Sequence, residues 1–195
     1  MEFTLVYEGQ LKSNGDPKHK HAIRTQFHPQ LRKLWSLKLS HWNTQGYHSP
    51  LTPVFYPGPP RVEMMANNFS RCGYRFVPLV LAYCALACRI DILFLRRDNG
   101  RGAIVQGGDI DNRLKTLFDG MRIPTDKELQ GIVPGVNEDP FYCLLEDDRL
   151  ITEVGVTTDT LLTPETEDEP QNTVKLIIGI KLRPLQLNQN NVDFA

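Results

Sequence analysis

The chain has 195 residues, of which 41% are hydrophobic and 23% are charged. This length and composition are typical of one globular domain, so we predict a single domain over 1–195. No apolar run approaches the roughly 20 residues that a membrane-spanning helix needs, and the start of the chain lacks the basic region of a signal peptide. The four cysteines form no C-x-x-C pair, which favours reduced thiols. We therefore expect a cytoplasmic protein with no membrane partner.

The net charge of −1 conceals an asymmetry between the two halves of the chain. Residues 1–100 contain 13 Lys and Arg against 6 Asp and Glu, whereas residues 101–195 contain 9 against 17. One basic surface that binds phosphates and one acidic centre that binds a metal would produce this division. Charges scattered over a solvated surface would produce it too, and the counts alone favour that simpler interpretation.

In the N-terminal half, the pattern predicts a strand over Phe3–Tyr7 and a polar loop from Gly9 to Gln26. A helix is predicted to begin near Pro29 and to bury Trp35 on its apolar side. A loop rich in proline and glycine follows from Tyr47 to Pro60.

In the C-terminal half, Arg89–Arg97 is predicted as a half-buried strand, followed by a loop and then an amphipathic helix whose apolar stripe runs from Ile110 to Met121. Leu150–Thr158 and Val174–Leu182 are predicted to pair as a hairpin of two strands. The order of these elements favours an α+β fold, with a mixed β-sheet and helices packed on it.

The most informative segment is the start of that helix, Gly108-Asp109-Ile110-Asp111-Asn112-Arg113-Leu114-Lys115, together with Leu145-Glu146-Asp147-Asp148. Carboxylate oxygens are the ligands that Mg²⁺ prefers. Because residues i and i+2 of a regular helix point apart, Asp109 and Asp111 can share a cation only if Asp109 lies at the helix boundary. Asp148 would supply a third carboxylate, and Lys115 a positive charge beside the metal.

A structural interpretation of the same residues stays open on the pattern alone. Asp109 is a suitable N-cap, since its side chain can accept backbone N–H groups. The helix dipole favours the negative charge of Asp111 in the first turn. Asp111 and Lys115 are four residues apart and would also form an ordinary surface ion pair.

The composite motif resembles the RusA family of Holliday junction resolvases. The shared pattern is Asp-x-Asp-Asn-x-x-Lys, then Phe-Asp-Gly, then Leu-x-Asp-Asp-x-x-Ile, with a strand before it. The resemblance covers about 86–183 as a RusA-like core, preceded by an enlarged N-terminal part over 1–85. The connection between Asp119 and Asp147 is longer than is usual in the family.

The resemblance implies a role for each matching residue. Asp109, Asp111 and Asp148 would be catalytic residues that bind Mg²⁺, with Mn²⁺ as a possible substitute. Lys115 would be a catalytic residue that stabilises charge on the phosphate, while Asn112 and Asp147 would support the site. The resemblance also implies a homodimer that acts on a four-way junction.

Two groups of basic residues are candidates for binding the nucleic-acid backbone. The first lies in the basic N-terminal segment, and the second lies just before the acidic helix. A solvated loop would explain the first group equally well, and a charged strand end the second. These residues are Lys18, Lys20 and Arg24, and then Arg96, Arg97 and Arg101.

The sequence thus predicts a Mg²⁺-dependent endonuclease that resolves branched DNA. Two alternatives stay open: a nuclease for another DNA or RNA structure, and a nucleic-acid-binding protein that keeps the fold without turnover.

Overall fold

The computed structural model describes residues 1–48, 55–96, 109–163 and 173–194. Its helices are α1 (Pro17–Lys38), α2 (Arg61–Asn68), α3 (Asp109–Met121) and α4 (Asp126–Leu129). Its strands are β1 (Glu2–Gln10), β2 (Tyr47–His48), β3 (Phe55–Tyr56), β4 (Ser70–Arg71), β5 (Tyr74–Val80), β6 (Leu86–Arg96), β7 (Phe141–Leu145), β8 (Ile151–Thr160) and β9 (Thr173–Pro184). The predicted α+β class with mixed sheets is confirmed.

The larger sheet has the strand order β1-β9-β6-β8. β9 pairs antiparallel with both β1 and β6, whereas β8 pairs parallel with β6. The predicted hairpin of β8 and β9 is therefore wrong, because β6 lies between them. Alternation of apolar and polar residues identifies a strand but does not select its partner, and here the central β9 is hydrogen-bonded on both edges.

One face of this sheet forms the main hydrophobic core against α1. Alternate residues of β6, including Ile90, Ile92 and Phe94, are buried on that face. From α1, Ile23, Phe27 and other apolar residues at helical spacing are buried in the same core. The sheet and the long helix thus form the frame on which the remaining elements pack.

The start of α1 differs from the prediction. The helix begins at Pro17, not near Pro29, and its N-cap Asp16 accepts a hydrogen bond of 2.8 Å from the backbone of His19. An N-cap aspartate followed by proline is a strong start signal, since proline suits the first helical turn. Pro29 lies inside the helix. Residues 17–26, predicted as part of a loop, form nearly three turns at its start.

A second, smaller sheet has the order β4-β5-β7, with β5 and β7 parallel. Strands β5 and β7 and helix α2 were not predicted. β5 is buried on both faces and contains Pro78, and β7 is buried at every position, so neither strand shows the alternation of apolar and polar residues. Phe76 and Phe141 pair across it and form a minor core with Tyr74. The helices in the described part of the chain are too short or too polar to span a membrane.

Candidate metal and nucleic-acid site

Helix α3 forms as predicted and begins at Asp109. Leu117 and Met121 are buried in the main core, which fixes the polar face of the helix towards solvent. Asp111 and Lys115 are both exposed on that face, four residues apart, so their charged groups occur on neighbouring turns. Asn112 is half-buried between them in sequence. The side chain of Asp109 lies outside what the structure describes.

A close contact with α1 holds α3 in place. Gly120 meets α1 so closely that a Cβ there would lie 2.6 Å from Cγ2 of Ile23. One turn earlier, Thr116 accepts a hydrogen bond of 3.0 Å from the backbone N–H of Gly15, just before α1. The first turn of α1, which carries the exposed Lys18, is thereby held near the part of α3 that carries Lys115.

The second acidic segment follows β7 as a short 3₁₀ turn, Asp148–Leu150, which packs against α3. Asp147 caps this turn and accepts two hydrogen bonds from the guanidinium of Arg149, at 2.7 and 3.2 Å. These bonds, with that from the backbone N–H of Arg149, hold the pKa of Asp147 below its ordinary value, and a hydrogen bond with Asp148 adds to the effect. The two neighbouring carboxyl groups therefore share one polar cluster.

The predicted metal residues Asp111 and Asp148 thus lie on two elements that pack together. Within the described ranges, no group of three or more His, Cys, Asp or Glu side chains is placed to hold a metal ion. The side chain of Asp109, the third predicted ligand, lies outside the residues to which this statement applies. The donor set itself is carboxylate oxygen throughout, which fits a hard divalent cation.

Arg24 was predicted as a surface residue that contacts nucleic acid, but the structure places it in the interior. Its side chain is 1% exposed, and it donates hydrogen bonds to the backbone carbonyls of Arg122 and Asp119, at 3.1 and 2.8 Å. Burial lowers the pKa of the guanidinium. Arg24 therefore ties α1 to the end of α3 as a structural residue.

Lys20 belongs to the same buried network. Its ammonium group lies 2.7 Å from Asp119 and 3.7 Å from Glu128, and the same two carboxylates also pair with Arg122. Glu128 is held by a capping box, in which it accepts from the backbone of Thr125 at 2.7 Å. Lys20 is thus engaged in joining α1, α3 and α4, which leaves Lys18 as the exposed member of the predicted N-terminal group.

The other predicted basic group is only partly described. Arg96 is the last residue of β6 and is half-buried, and its carbonyl accepts a hydrogen bond from Leu161 at 2.7 Å. Arg97 and Arg101 lie outside the described residues. Their predicted contact with nucleic acid stays a prediction.

His28, one turn after Arg24 in α1, is also a structural residue. Its Nδ1 accepts the backbone N–H of Tyr142 at 2.9 Å, and its Nε2 lies 3.0 Å from the carbonyl oxygen of Asn137. Burial lowers the pKa of the imidazole, although both hydrogen bonds oppose this. A neutral ring with its proton on Nε2 satisfies both partners.

Comparison of the chain with protein-family models, curated proteins and solved structures finds no match to any of them. The resemblance to RusA-type resolvases therefore stays a prediction from the composite motif.

Proposed function

We propose that the protein is a Mg²⁺-dependent endonuclease of RusA type that hydrolyses phosphodiester bonds in branched DNA. The observation that carries this proposal is the placement of Asp111 and Lys115 on one exposed face of α3, with the turn that contains Asp148 packed against the same helix. Sequence positions far apart in the chain thus supply acidic and basic groups to neighbouring elements, as phosphoryl-transfer chemistry requires.

Asp109, Asp111 and Asp148 would hold the cation, which when bound polarises a phosphoryl oxygen and lowers the pKa of a bound water. The ammonium group of Lys115 stabilises the negative charge that develops on the phosphate oxygens. In the hydrolysis, the oxygen of water bonds to phosphorus, one phosphorus–oxygen ester bond breaks, and a proton passes to the leaving oxygen. Asn112 and Asp147 orient the neighbouring carboxylates.

Exposed Lys18 extends the positive charge from α3 to α1, so that a strand bound at Lys115 continues over the start of α1. The proposal includes a homodimer, since a four-way junction presents two strands for symmetric cuts. Sedimentation velocity of the free protein tests the dimer separately from the chemistry.

The chemistry is tested by Asp111→Asn, with Asp126→Asn as the matched control, because Asp126 is likewise exposed in the first turn of a helix. Each variant is assayed for junction binding in Ca²⁺ and for cleavage in Mg²⁺ or Mn²⁺. We expect Asp111→Asn to bind but not cleave, and Asp126→Asn to do both. Cleavage that survives Asp111→Asn contradicts the proposed site. Junction binding without cleavage by the unmodified protein supports the alternative of a binding protein.

A further inference from the structure

A cleft of about 480 Å³ opens beside the second acidic segment. This volume is sufficient for a small ligand or one nucleotide. Its walls come from the end of β7, the turn after it, the start of the smaller sheet and the segment that precedes α4. Its lining includes Phe69, Arg71, Glu146, Asp147, Arg149 and Leu150.

Part of the lining of the cleft is apolar. Phe69 and Leu150, both half-buried, line it together with the buried Ile123. Aromatic and aliphatic side chains of this kind cover the faces of unstacked bases in proteins that bind single strands, because every base has an apolar π-face. The walls therefore suit a flat, partly apolar group.

The cleft also contains a fixed hydrogen-bond acceptor. Oε2 of Glu146 accepts the backbone N–H of Ala82 at 2.8 Å, which holds the carboxylate in the wall of the cleft. An ionised carboxylate has about four positions that accept hydrogen bonds, so one N–H does not saturate it. Glu146 therefore favours a ligand whose edge donates hydrogen bonds.

Positive charge lies at the same cleft. Arg71 donates one hydrogen bond of 3.1 Å to the carbonyl of Pro124, which orients a guanidinium that has five N–H donors in all. Arg149 is exposed and pairs with Asp147 on the other wall. Guanidinium groups bind phosphate well, because their planar donors match its oxygens.

We propose that this cleft binds one unstacked nucleotide of a nucleic-acid strand. The base lies between Phe69 and Leu150, its donor edge faces Glu146, and its phosphate pairs with Arg71 and Arg149. Guanine fits best, since its N1–H and 2-amino group can both donate to one carboxylate. The inference rests on the proposed function in one respect: Asp147 in the wall contacts Asp148, so the bound nucleotide belongs to the strand that is cut.

The test uses GMP, TMP and inorganic phosphate as probes of the full chain without metal, followed by amide NMR spectra. We expect GMP to shift the amides of Ala82 and Leu150 and to bind about tenfold more tightly than TMP, as hydrogen bonds to a charged group imply. Glu146→Gln should weaken that preference several-fold, because the amide has one acceptor oxygen in place of two and no negative charge. Glu8→Gln, at an exposed ion pair with Lys175, is the matched control. A guanine-containing trinucleotide should bind more tightly than GMP if a strand is the natural ligand.

The spectra also report whether each variant is folded. Arg149→Gln, at an exposed side chain, provides a second variant. It should weaken the binding of GMP, TMP and inorganic phosphate alike and leave the preference for GMP over TMP unchanged. Equal shifts with GMP and inorganic phosphate would reduce the cleft to an anion site and overturn the inference, as would shifts elsewhere in the protein. Because nothing is cut in this experiment, its failure is distinct from a failure of the nuclease proposal.

Discussion

Two aspartates of α3 should differ widely in how much stability the same substitution, Asp→Asn, removes. Asp119 is 6% exposed and accepts from Nε and Nη2 of Arg122, at 3.0 and 2.6 Å, and from Nζ of Lys20 at 2.7 Å. Asp111, in the first turn of the same helix, is exposed. Asp119→Asn removes a charge from the buried network, whereas Asp111→Asn removes one from the surface.

Breaking a buried ion pair by removing one partner costs about 3–5 kcal/mol, since the other charges remain buried. Asparagine keeps one acceptor oxygen, so we expect Asp119→Asn to lower the free energy of unfolding by about 3 kcal/mol, or the melting temperature by roughly 6–12 °C. Asp111→Asn loses only its favourable interaction with the helix dipole, about 0.5 kcal/mol. Urea unfolding at pH 7, followed by circular dichroism, measures both.

The loss of unfolding free energy in Asp119→Asn should also depend on pH in a defined direction. Burial raises the pKa of Asp119, but the hydrogen bond from Lys20 and the charge of Arg122 outweigh this, so the pKa lies below its ordinary value of 3.8. A carboxyl group whose pKa is lowered by folding stabilises the protein above its unfolded pKa and loses that effect as the pH falls through the folded pKa. The cost of Asp119→Asn should therefore be complete at pH 7 and shrink below about pH 4. Equal costs for both variants, or a cost for Asp119→Asn that grows in acid, would refute the reasoning.

Three further predictions concern packing, thiols and histidine. Gly120→Ala should lower the free energy of unfolding in urea by about 1–3 kcal/mol, because its Cβ would collide with Ile23. Gly58→Ala, where no atom of the described residues lies within 4 Å of the added Cβ, should be nearly neutral. Equal costs would contradict the close packing of α1 and α3. A thiol reagent should modify only the exposed Cys72 in the folded protein and all four cysteines in denaturant. Burial raises the pKa of the other three thiols to about 12, which suppresses the reactive thiolate. Modification of a second thiol before unfolding would contradict this prediction. Burial in the folded state lowers the pKa of His28 below 6.5, so the free energy of unfolding should fall as the pH drops below about 6.5. His28→Gln should weaken that dependence. An unchanged pH dependence of the urea midpoint in this variant would contradict the structural role of His28.

Helix α3 and the strands of the larger sheet were predictable because each carries a regular apolar pattern along its own sequence. The partner of β8 was not, since pairing with β6 depends on the path of the chain between them. The first three turns of α1 were missed because they begin with the polar run Lys18-His19-Lys20-His21, although Ile23 and Phe27 continue the apolar stripe.

The candidate site likewise contains residues that the sequence located and residues whose surroundings it did not predict. Asp111, Lys115 and Asp148 were located by a motif, and their elements do lie together. Lys20 and Arg24 looked like surface residues that bind phosphate, because the carboxylates that neutralise the network, Asp119 and Glu128, lie about a hundred residues away. Local sequence contains no signal of such a distant partner. Glu146 was visible within the acidic segment, but its place in a cleft depends on Ala82 from another part of the chain.

The most direct measurement of the central claim is cleavage of a labelled synthetic four-way junction, beside linear duplex and single strands, with Mg²⁺ and with EDTA. The proposed function predicts paired nicks in the junction that need Mg²⁺ and disappear in Asp111→Asn. Cleavage of linear or single-stranded DNA alone would retain the metal site and reject the junction as the substrate. Junction cleavage that persists in EDTA or in Asp111→Asn would contradict the proposed mechanism at the site on α3.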